Sequence, residues 1–371
     1  MISWVLGKVL KLVFRLVMVL VVLAAIGVAV LTITEYRPEN VETVIKGGTA
    51  DAVPIGQEMS ALIWNVGYGA LGENADFFMD GGKSVYTADE ARVKDNVQNI
   101  LAELQRQNAD FMMLQEVDIN SDRSYHIDER ETLKQAAPGG TDAFAYNFKA
   151  LYVPYPLPPI GHVEGGLYTL SQRGIAAADR IALPTPFTWP MRTVNLKRCL
   201  LVSRIPVAGS GRQLVLVNLH LEAYDDGTGK AAQTRVLQDL LRSEYDKGNY
   251  VIAGGNFNQQ FAGVVSPYRS EGAPWQAGKI DPAGFEPDFQ MLMDASVPTC
   301  RALNKPYAGA DKEKFYFYMI DGFIVSDNVE VREVRTIDMG FRHSDHNPVR
   351  LTFALRPEVN GGKDSSARAS E

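Results

Sequence analysis

Residues 251–260, VIAGGNFNQQ, run from an apolar, strand-like stretch through two glycines into Asn256, Phe257 and Asn258. A buried strand that ends in two carboxamides at a glycine corner needs a reason, because unpaired polar groups in an apolar setting are costly. Similar runs lie on both sides of it. SALIWNV (60–66), FMMLQEV (111–117), LYTLS (167–171), CLLVSRIPV (199–207), QLVLVNLHL (213–221), DGFIVS (321–326), VEVREVRTI (329–337) and PVRLTFAL (348–355) all read as short β-strands.

Two helices interrupt the strands. Thr87-Ala88-Asp89-Glu90 has the form of a capping box, followed at helical spacing by Val93, Val97, Ile100, Leu101 and Leu104. A second helix is expected from about Lys230 to Asp246, with Val236, Leu237, Leu240, Leu241 and Tyr245 on one face and Gly248 as its stop. Each helix lies between two strong strands, which indicates an α+β or layered α/β protein. No internal repeat is evident. At 371 residues, 46% hydrophobic and 22% charged, the chain is long enough for one large globular domain or two smaller ones.

The polar exceptions to the strand pattern fall at strand ends. Asn65 follows the strand in LIWNVGYG and Glu116 closes MMLQEV. His220 lies within VNLHL, Asp321 opens DGFIVS, and Asp345 and His346 precede PVRLTF. Taken singly, each has a plain explanation: a turn asparagine, a solvated glutamate, a hydrogen-bonded core histidine. Together they suggest one place, because strand ends on one edge of a layered sheet converge. Carboxylates, carboxamides and imidazoles gathered there suit a hard divalent cation beside a phosphate.

The ordered set WNVGY, LQEVD, VNLHL, GGNFN, IDGFIVS and SDHNPV, spread over about residues 60–355, resembles the endonuclease/exonuclease/phosphatase superfamily with its DNase I fold, in the form of a membrane-anchored bacterial-type member. SDHNPV is the most specific of these motifs. The resemblance implies a four-layered α/β sandwich of two mixed β-sheets flanked by helices, with a site at one edge. It also implies hydrolysis of phosphoesters, nuclease-like or phospholipase C-like, with Mg²⁺ or Mn²⁺. Asn65 and Glu116 would hold the metal, with Asp345 a ligand or close neighbour. His346 would contact the scissile phosphate and be oriented by Asp321, while His220 would be a second phosphate-facing imidazole and Asn258 would bind the phosphate. The shared motifs do not choose among nucleic acid, a phospholipid head group and a small phosphoester.

One position departs from the family pattern. The strand usually ends Gly-Asp-x-Asn, the aspartate orienting or deprotonating the attacking water, and here Asn256 stands where that aspartate belongs. A carboxamide can accept a hydrogen bond from water but cannot take its proton near neutral pH. A low-activity member, a different base and a deliberately inactivated variant all fit this departure. So does a noncatalytic, membrane-tethered module that binds a phosphate-bearing ligand in the same cleft.

Several other stretches have a plainer reading. DFFMDGGKS (76–84) lacks the spacing of a P-loop and reads as a rim loop. Arg123 in RSYHIDE and Lys149 in YNFKALYVP are candidates for substrate contact or for surface packing, and His343 flanks the site. LYVPYPLPPIGHVEGG reads as an ordered surface loop, and FYFY (315–318) alternates so that two of its rings should be buried.

The first 37 residues differ in kind. Leu16 to Ile33 is an eighteen-residue run without charge, preceded by Lys8, Lys11 and Arg15. That is close to the minimum for a bilayer span and places the N-terminus in the cytoplasm and the rest outside the cell membrane. A cleaved signal peptide is the rival, though its apolar core is ordinarily shorter and GVAVLTITE offers no convincing small-x-small cleavage site. The expected division is a basic stub and single-pass anchor over 1–37, a linker over 38–59, the catalytic domain over 60–356 and a flexible tail over 357–371. The net charge is −7; setting aside Lys8, Lys11 and Arg15, with Glu35 and Arg37 cancelling, leaves −10 on residues 38–371, unsuited to broad nucleic-acid binding. Cys199 and Cys300 could pair outside the membrane, but a domain of this size does not need a disulfide. Nothing in the sequence calls for an obligate protein partner.

Overall fold

The computed structural model describes residues 2–357. Two mixed β-sheets pack face to face. The first has the order β1 (Val41–Lys46), β6 (Ala177–Ala182), β7 (Cys199–Pro206), β8 (Gln213–His220), β9 (Tyr250–Asn256), β15 (Asp321–Ser326) and β12 (Phe289–Leu292). The second runs β16 (Val329–Thr336), β17 (Val349–Leu355), β2 (Glu58–Asn65), β3 (Phe111–Asp118), β5 (Gly161–Ser171) and β4 (Thr141–Val153). Two short pairs lie outside them: β10 (Gln259–Phe261) with β11 (Gly278–Ile280), and β13 (Cys300–Arg301) with β14 (Phe317–Tyr318).

The α-helices among the described residues are α1 (Ile2–Ile33), α2 (Glu90–Gln107), α3 (Glu129–Leu133) and α4 (Thr228–Asp246). Within the large sheets the parallel neighbours are β2–β3 and β8–β9, and α2 and α4 make the crossovers that such pairs require.

Strict two-residue alternation produces the layers. On β2, Met59, Ala61 and Ile63 face the other sheet, while Leu62 and Trp64 face α2. On β9, Tyr250 and Ile252 face inward, while Val251 and Ala253 meet Leu237 and Leu241 of α4. Both faces are buried, which is why these strands read as continuous apolar runs. The order is helix, sheet, sheet, helix: the expected four-layered sandwich.

Helix α1 is longer than the eighteen-residue apolar run, and the most apolar eighteen-residue window of its Trp4–Ile33 stretch has a mean hydropathy of 3.1, with none of that window buried by the body. By length and composition it can cross a membrane. A polar joint fixes its exit. The Glu35 carboxylate lies 3.0 Å from Arg37, 3.2 Å from Lys197 and 3.3 Å from Arg192, and the Trp189 indole N–H donates to Thr32 Oγ1 at 3.0 Å.

Several local expectations need correction. The stretch expected as a linker over 38–59 contains β1, which pairs antiparallel with β6, because Val44 and Ile45 reach the apolar cluster of Ala143, Leu167 and Ala178. The cap of α2 is Asp89, whose side chain accepts from the Arg92 amide at 2.8 Å, while the Thr87 hydroxyl donates to the Ala70 carbonyl. In FYFY, three rings are buried, since Phe315 joins Phe317 and Tyr318 in a cluster with Phe341. Most of LYVPYPLPPIGHVEGG belongs to the β4–β5 hairpin, with residues 154–160 as its tip. Cys199 and Cys300 are buried free thiols. Beyond Pro357, the expected tail lies outside the described residues.

Candidate active site

The C-terminal end of β9 organises the site. Strand register sets His220 of β8 and Asp321 of β15 directly beside Asn256, one on each side. Gly255 makes this approach possible: its φ is +145°, and a Cβ there would lie 2.0 Å from the Leu219 carbonyl oxygen. Beyond the corner, Asn256 Oδ1 accepts from the Asn258 amide at 2.8 Å, and Asn258 Nδ2 donates to the Leu221 carbonyl at 2.8 Å. The two carboxamides of GGNFN are thus held by the backbone around them.

The second sheet supplies the opposite wall. The pairing of β3 with β5 slips between Leu114 and Val117, and Glu116 sits in this bulge with φ +55°. A non-glycine residue in left-handed backbone is strained, and here the strain redirects a carboxylate. Asn65, at the end of β2, donates from Nδ2 to Glu116 Oε1 at 2.8 Å and accepts from the Gly67 amide through Oδ1. The turn between β16 and β17 brings in Asp345 and His346. His346 Nδ1 meets Asp321 Oδ2 at 2.8 Å, and its Nε2 lies 3.4 Å from Asn65 Nδ2 and 3.9 Å from Asp345 Oδ2. His220 Nδ1 lies 3.8 Å from Glu116 Oε1, buried and without a hydrogen-bond partner.

The two imidazoles are driven apart electrostatically. Burial opposes charge on both. At His346 it is outweighed by Asp321, with Cys300 and Asp345 adding, and the basicity rises well above the ordinary histidine value. At His220 burial is reinforced by Arg198, His346 and Arg123, and the basicity falls well below that value. The site therefore holds one charged and one neutral imidazole at neutral pH. Burial, with help from Glu116, pushes the Asp345 carboxyl up to about 6.

A match to the family described as Endonuclease/Exonuclease/phosphatase family covers residues 62–346, from the middle of β2 to the histidine of SDHNPV. The chain belongs to this family. Members of the endonuclease/exonuclease/phosphatase family are generally phosphoester hydrolases that use divalent metals. A family structure from Beutenbergia cavernae DSM 12333 is 15% identical and aligns over 81% of this chain and 72% of its own, with a TM-score of 0.52. Another from Bacteroides vulgatus is 12% identical, aligns over 81% and 100%, and has a TM-score of 0.51. At these identities the likeness is one of fold. No curated protein matches the chain in sequence.

Of the residues expected at the family's site, Asn65, Glu116, His220, Asn256, Asn258, Asp321, Asp345 and His346 all gather at this one edge. Arg123 also lines the cleft, stacked 3.8 Å from the Tyr68 ring centre and bidentate to Asp118 at 2.9 Å. Lys149 instead pairs with Glu164, and His343 turns to Asn96 Oδ1 at 3.1 Å; neither lines the cleft.

The donors fit a hard cation. Glu116 and Asp345 offer carboxylate oxygens at this edge, and the unpartnered His220 Nδ1 lies 3.8 Å from Glu116 Oε1. Asn65 has already given its Oδ1 to Gly67, so in this arrangement it steadies Glu116. Cys300 lies with Asp345 and His346 in a group whose ligand atoms are within 4.8 Å of one another, but burial pushes its thiol up to about 12.

Sequence reasoning missed four contributors. Arg198 lines the cleft and donates to Glu222 and the His220 carbonyl. Asp80, from the 76–84 loop, bonds the Tyr224 hydroxyl at 3.0 Å, and burial, with Asp345 and Glu116 adding, pushes it up to about 7. Behind the site, Gln115 Nε2 donates to Asn218 Oδ1 at 2.8 Å and ties the sheets together. The only signal for Gln115 and Asn218 was a polar letter inside an apolar strand.

Proposed function

We propose that this cleft hydrolyses phosphodiesters with a divalent cation, Mg²⁺ or Mn²⁺, held by Glu116 and Asp345, with Asn65 orienting Glu116. The observation that carries the reading is the Asp321–His346 pair at 2.8 Å facing the Asn65–Glu116 pair, with His220 Nδ1 3.8 Å from Glu116. A cation bound there would offset negative charge on the phosphate oxygens. The protein's own share is positional and electrostatic, as phosphoryl transfer requires. Charged His346 donates its Nε2 hydrogen to a phosphate oxygen, and Asp321 fixes its tautomer. His220 Nδ1, free of protein partners, hydrogen-bonds the phosphate or the leaving oxygen. Asn258 and Arg123 have remaining N–H groups for the phosphate and the substrate beyond it. Asn256 holds the attacking water by hydrogen bonding alone, so turnover is slow.

Asn256 also favours a second reading, a tethered module that binds a phosphate-bearing ligand without turning it over. Hydrolysis of bis-p-nitrophenyl phosphate by the full chain separates the two. We expect slow hydrolysis dependent on Mg²⁺ or Mn²⁺, abolished in Glu116→Gln and reduced far more by His346→Ala than by His343→Ala. Equal losses from the two histidine variants would show that the wrong imidazole is assigned, and no hydrolysis under any metal would favour the binder.

For α1 we propose a retained single-pass span with Lys8, Lys11 and Arg15 on the cytoplasmic side and the body extracytoplasmic. Its length, composition and lack of cover by the body support this reading.

A further inference from the structure

An apolar strip leads from the end of α1 to the mouth of the cleft. It begins at Trp189, whose indole bonds Thr32 in the last turn of the helix. Val194 and Leu196 in the segment after it, and Ile160 at the tip of the β4–β5 hairpin, all pack against one cluster of Phe148, Ala150, Val153 and Val163. The tip then meets the 76–84 loop: the ring of Tyr155 lies 6.0 Å from that of Phe78, and the Tyr86 hydroxyl donates to the Pro159 and Ile160 carbonyls. The neighbours of Phe78, Phe77 and Met79, line the cleft with Ile160 and Leu196.

Along this strip the side chains a folded protein ordinarily covers are left bare. Leu157 is 90% exposed, Tyr155 68%, Met191 56% and Trp189 55%. Scattered apolar residues need no explanation, but a connected group beside a membrane span does. What covers them follows from the joint. Glu35 is buried among Arg37, Arg192 and Lys197, so the helix does not leave the body through a loose tether. If α1 spans a bilayer, its last turn ends at the lipid–water boundary, and Trp189, bonded to that turn, stands at the same level. Indole rings with one apolar face and one hydrogen-bonding edge are suited to that depth.

We propose that Tyr155, Leu157, Trp189 and Met191 form a membrane-seating surface that rests on the lipid from which α1 emerges and opens the cleft onto the head-group layer. The occupant is a lipid surface engaged by apolar insertion. The body's net −10 gives no reason for it to seek anionic lipid, so seating on zwitterionic lipid should be insensitive to salt. The proposal rests on α1 as a retained span and goes beyond the hydrolytic reading of the cleft.

The test uses the full chain reconstituted in phosphatidylcholine vesicles, with an environment-sensitive fluorophore on Leu157→Cys. The native thiols, Cys199 and Cys300, are buried and leave the new one as the reactive site. Lys247→Cys, beyond the opposite end of β9, is the reference position. Lipids carrying a shallow nitroxide should quench the Leu157 label several-fold more than the Lys247 label, and aqueous iodide should show the reverse order. Iodide reaching both labels alike, with no effect of the lipid nitroxide, would overturn the proposal. Shielding of Leu157 from both quenchers would overturn it in favour of contact with a second copy. The readout does not depend on turnover: a lipid-buried Leu157 in an inactive chain would remove the phosphoesterase reading and leave the seating intact.

Discussion

Asn256 is held at both ends, its Oδ1 by the Asn258 amide and its Nδ2 turned to His220 Nε2 at 3.5 Å. An aspartate keeps the first of these contacts and exchanges the second for a carboxylate oxygen, so Asn256→Asp should fit in the same place with the His220 proton carried on Nε2. A positioned general base is worth roughly 10²- to 10⁴-fold in rate, and we expect Mg²⁺-dependent turnover to rise within that range. If the parent is already fast and the aspartate adds nothing across nucleic-acid, phospholipid and small phosphoester substrates, another residue is the base. One position earlier, geometry forbids any side chain. Gly255→Ala places a Cβ against the Leu219 carbonyl in positive-φ backbone, and a loss of at least about 2 kcal/mol is expected in urea unfolding. A wild-type midpoint would mean that β9 can move away from β8.

The contact of α4 with the first sheet includes a charged clamp far from the site. Glu244 near the end of α4 takes both terminal nitrogens of Arg204 on β7 at 2.9 Å, as well as Lys247 and Asn249. Burial alone would raise the Glu244 carboxyl, but these hydrogen bonds outweigh it and bring it down to about 2. Because the folded value lies below the unfolded one, near 4.5, the clamp stabilises fully above that pH and loses its effect as pH falls towards 2. Glu244→Gln should therefore lower the melting temperature at neutral pH and shrink the difference from the parent on acidification over this interval. A difference that stays constant with pH would exclude the linkage.

At the same scale, the legible elements were those buried on both faces. β2, β3, β8, β9 and β15 show near-continuous apolar runs, β17 alternates with Arg350 and Thr352 half-exposed, and the polar residues at their ends marked the site. β4 did not read as a strand because its inward positions are mostly alanines, Ala143, Ala145 and Ala150, broken by bulges near Asn147 and Leu151. β6 carries Arg180 buried beneath the Tyr146 and Lys197 carbonyls, a polar letter where a strand pattern wants an apolar one. Asp80 and Arg198 reach the cleft by tertiary packing of loop and edge, which no local periodicity records.

Across the whole molecule, two β–α–β units, β2–α2–β3 and β8–α4–β9, present their strand ends at one edge. The metal-side group comes largely from the second sheet, and Asn256, His220 and Asp321 from the first. Gln115 and Asn218 lock the halves together behind them. The joint at Glu35 adds a mechanical property. If α1 spans a bilayer, its tilt and the attitude of the body are a single variable. A spanning helix accommodates a thinner hydrocarbon layer by leaning. The lean then passes through Glu35, Arg192 and Lys197 to the body and tips the cleft mouth towards or away from the surface. Turnover by the reconstituted chain should accordingly pass through an optimum as acyl chains are lengthened, and Glu35→Ala should flatten that profile without changing hydrolysis in detergent. A parent profile that is already flat would mean the joint yields. On this view bilayer thickness would set how the cleft meets the surface, read through a single buried carboxylate.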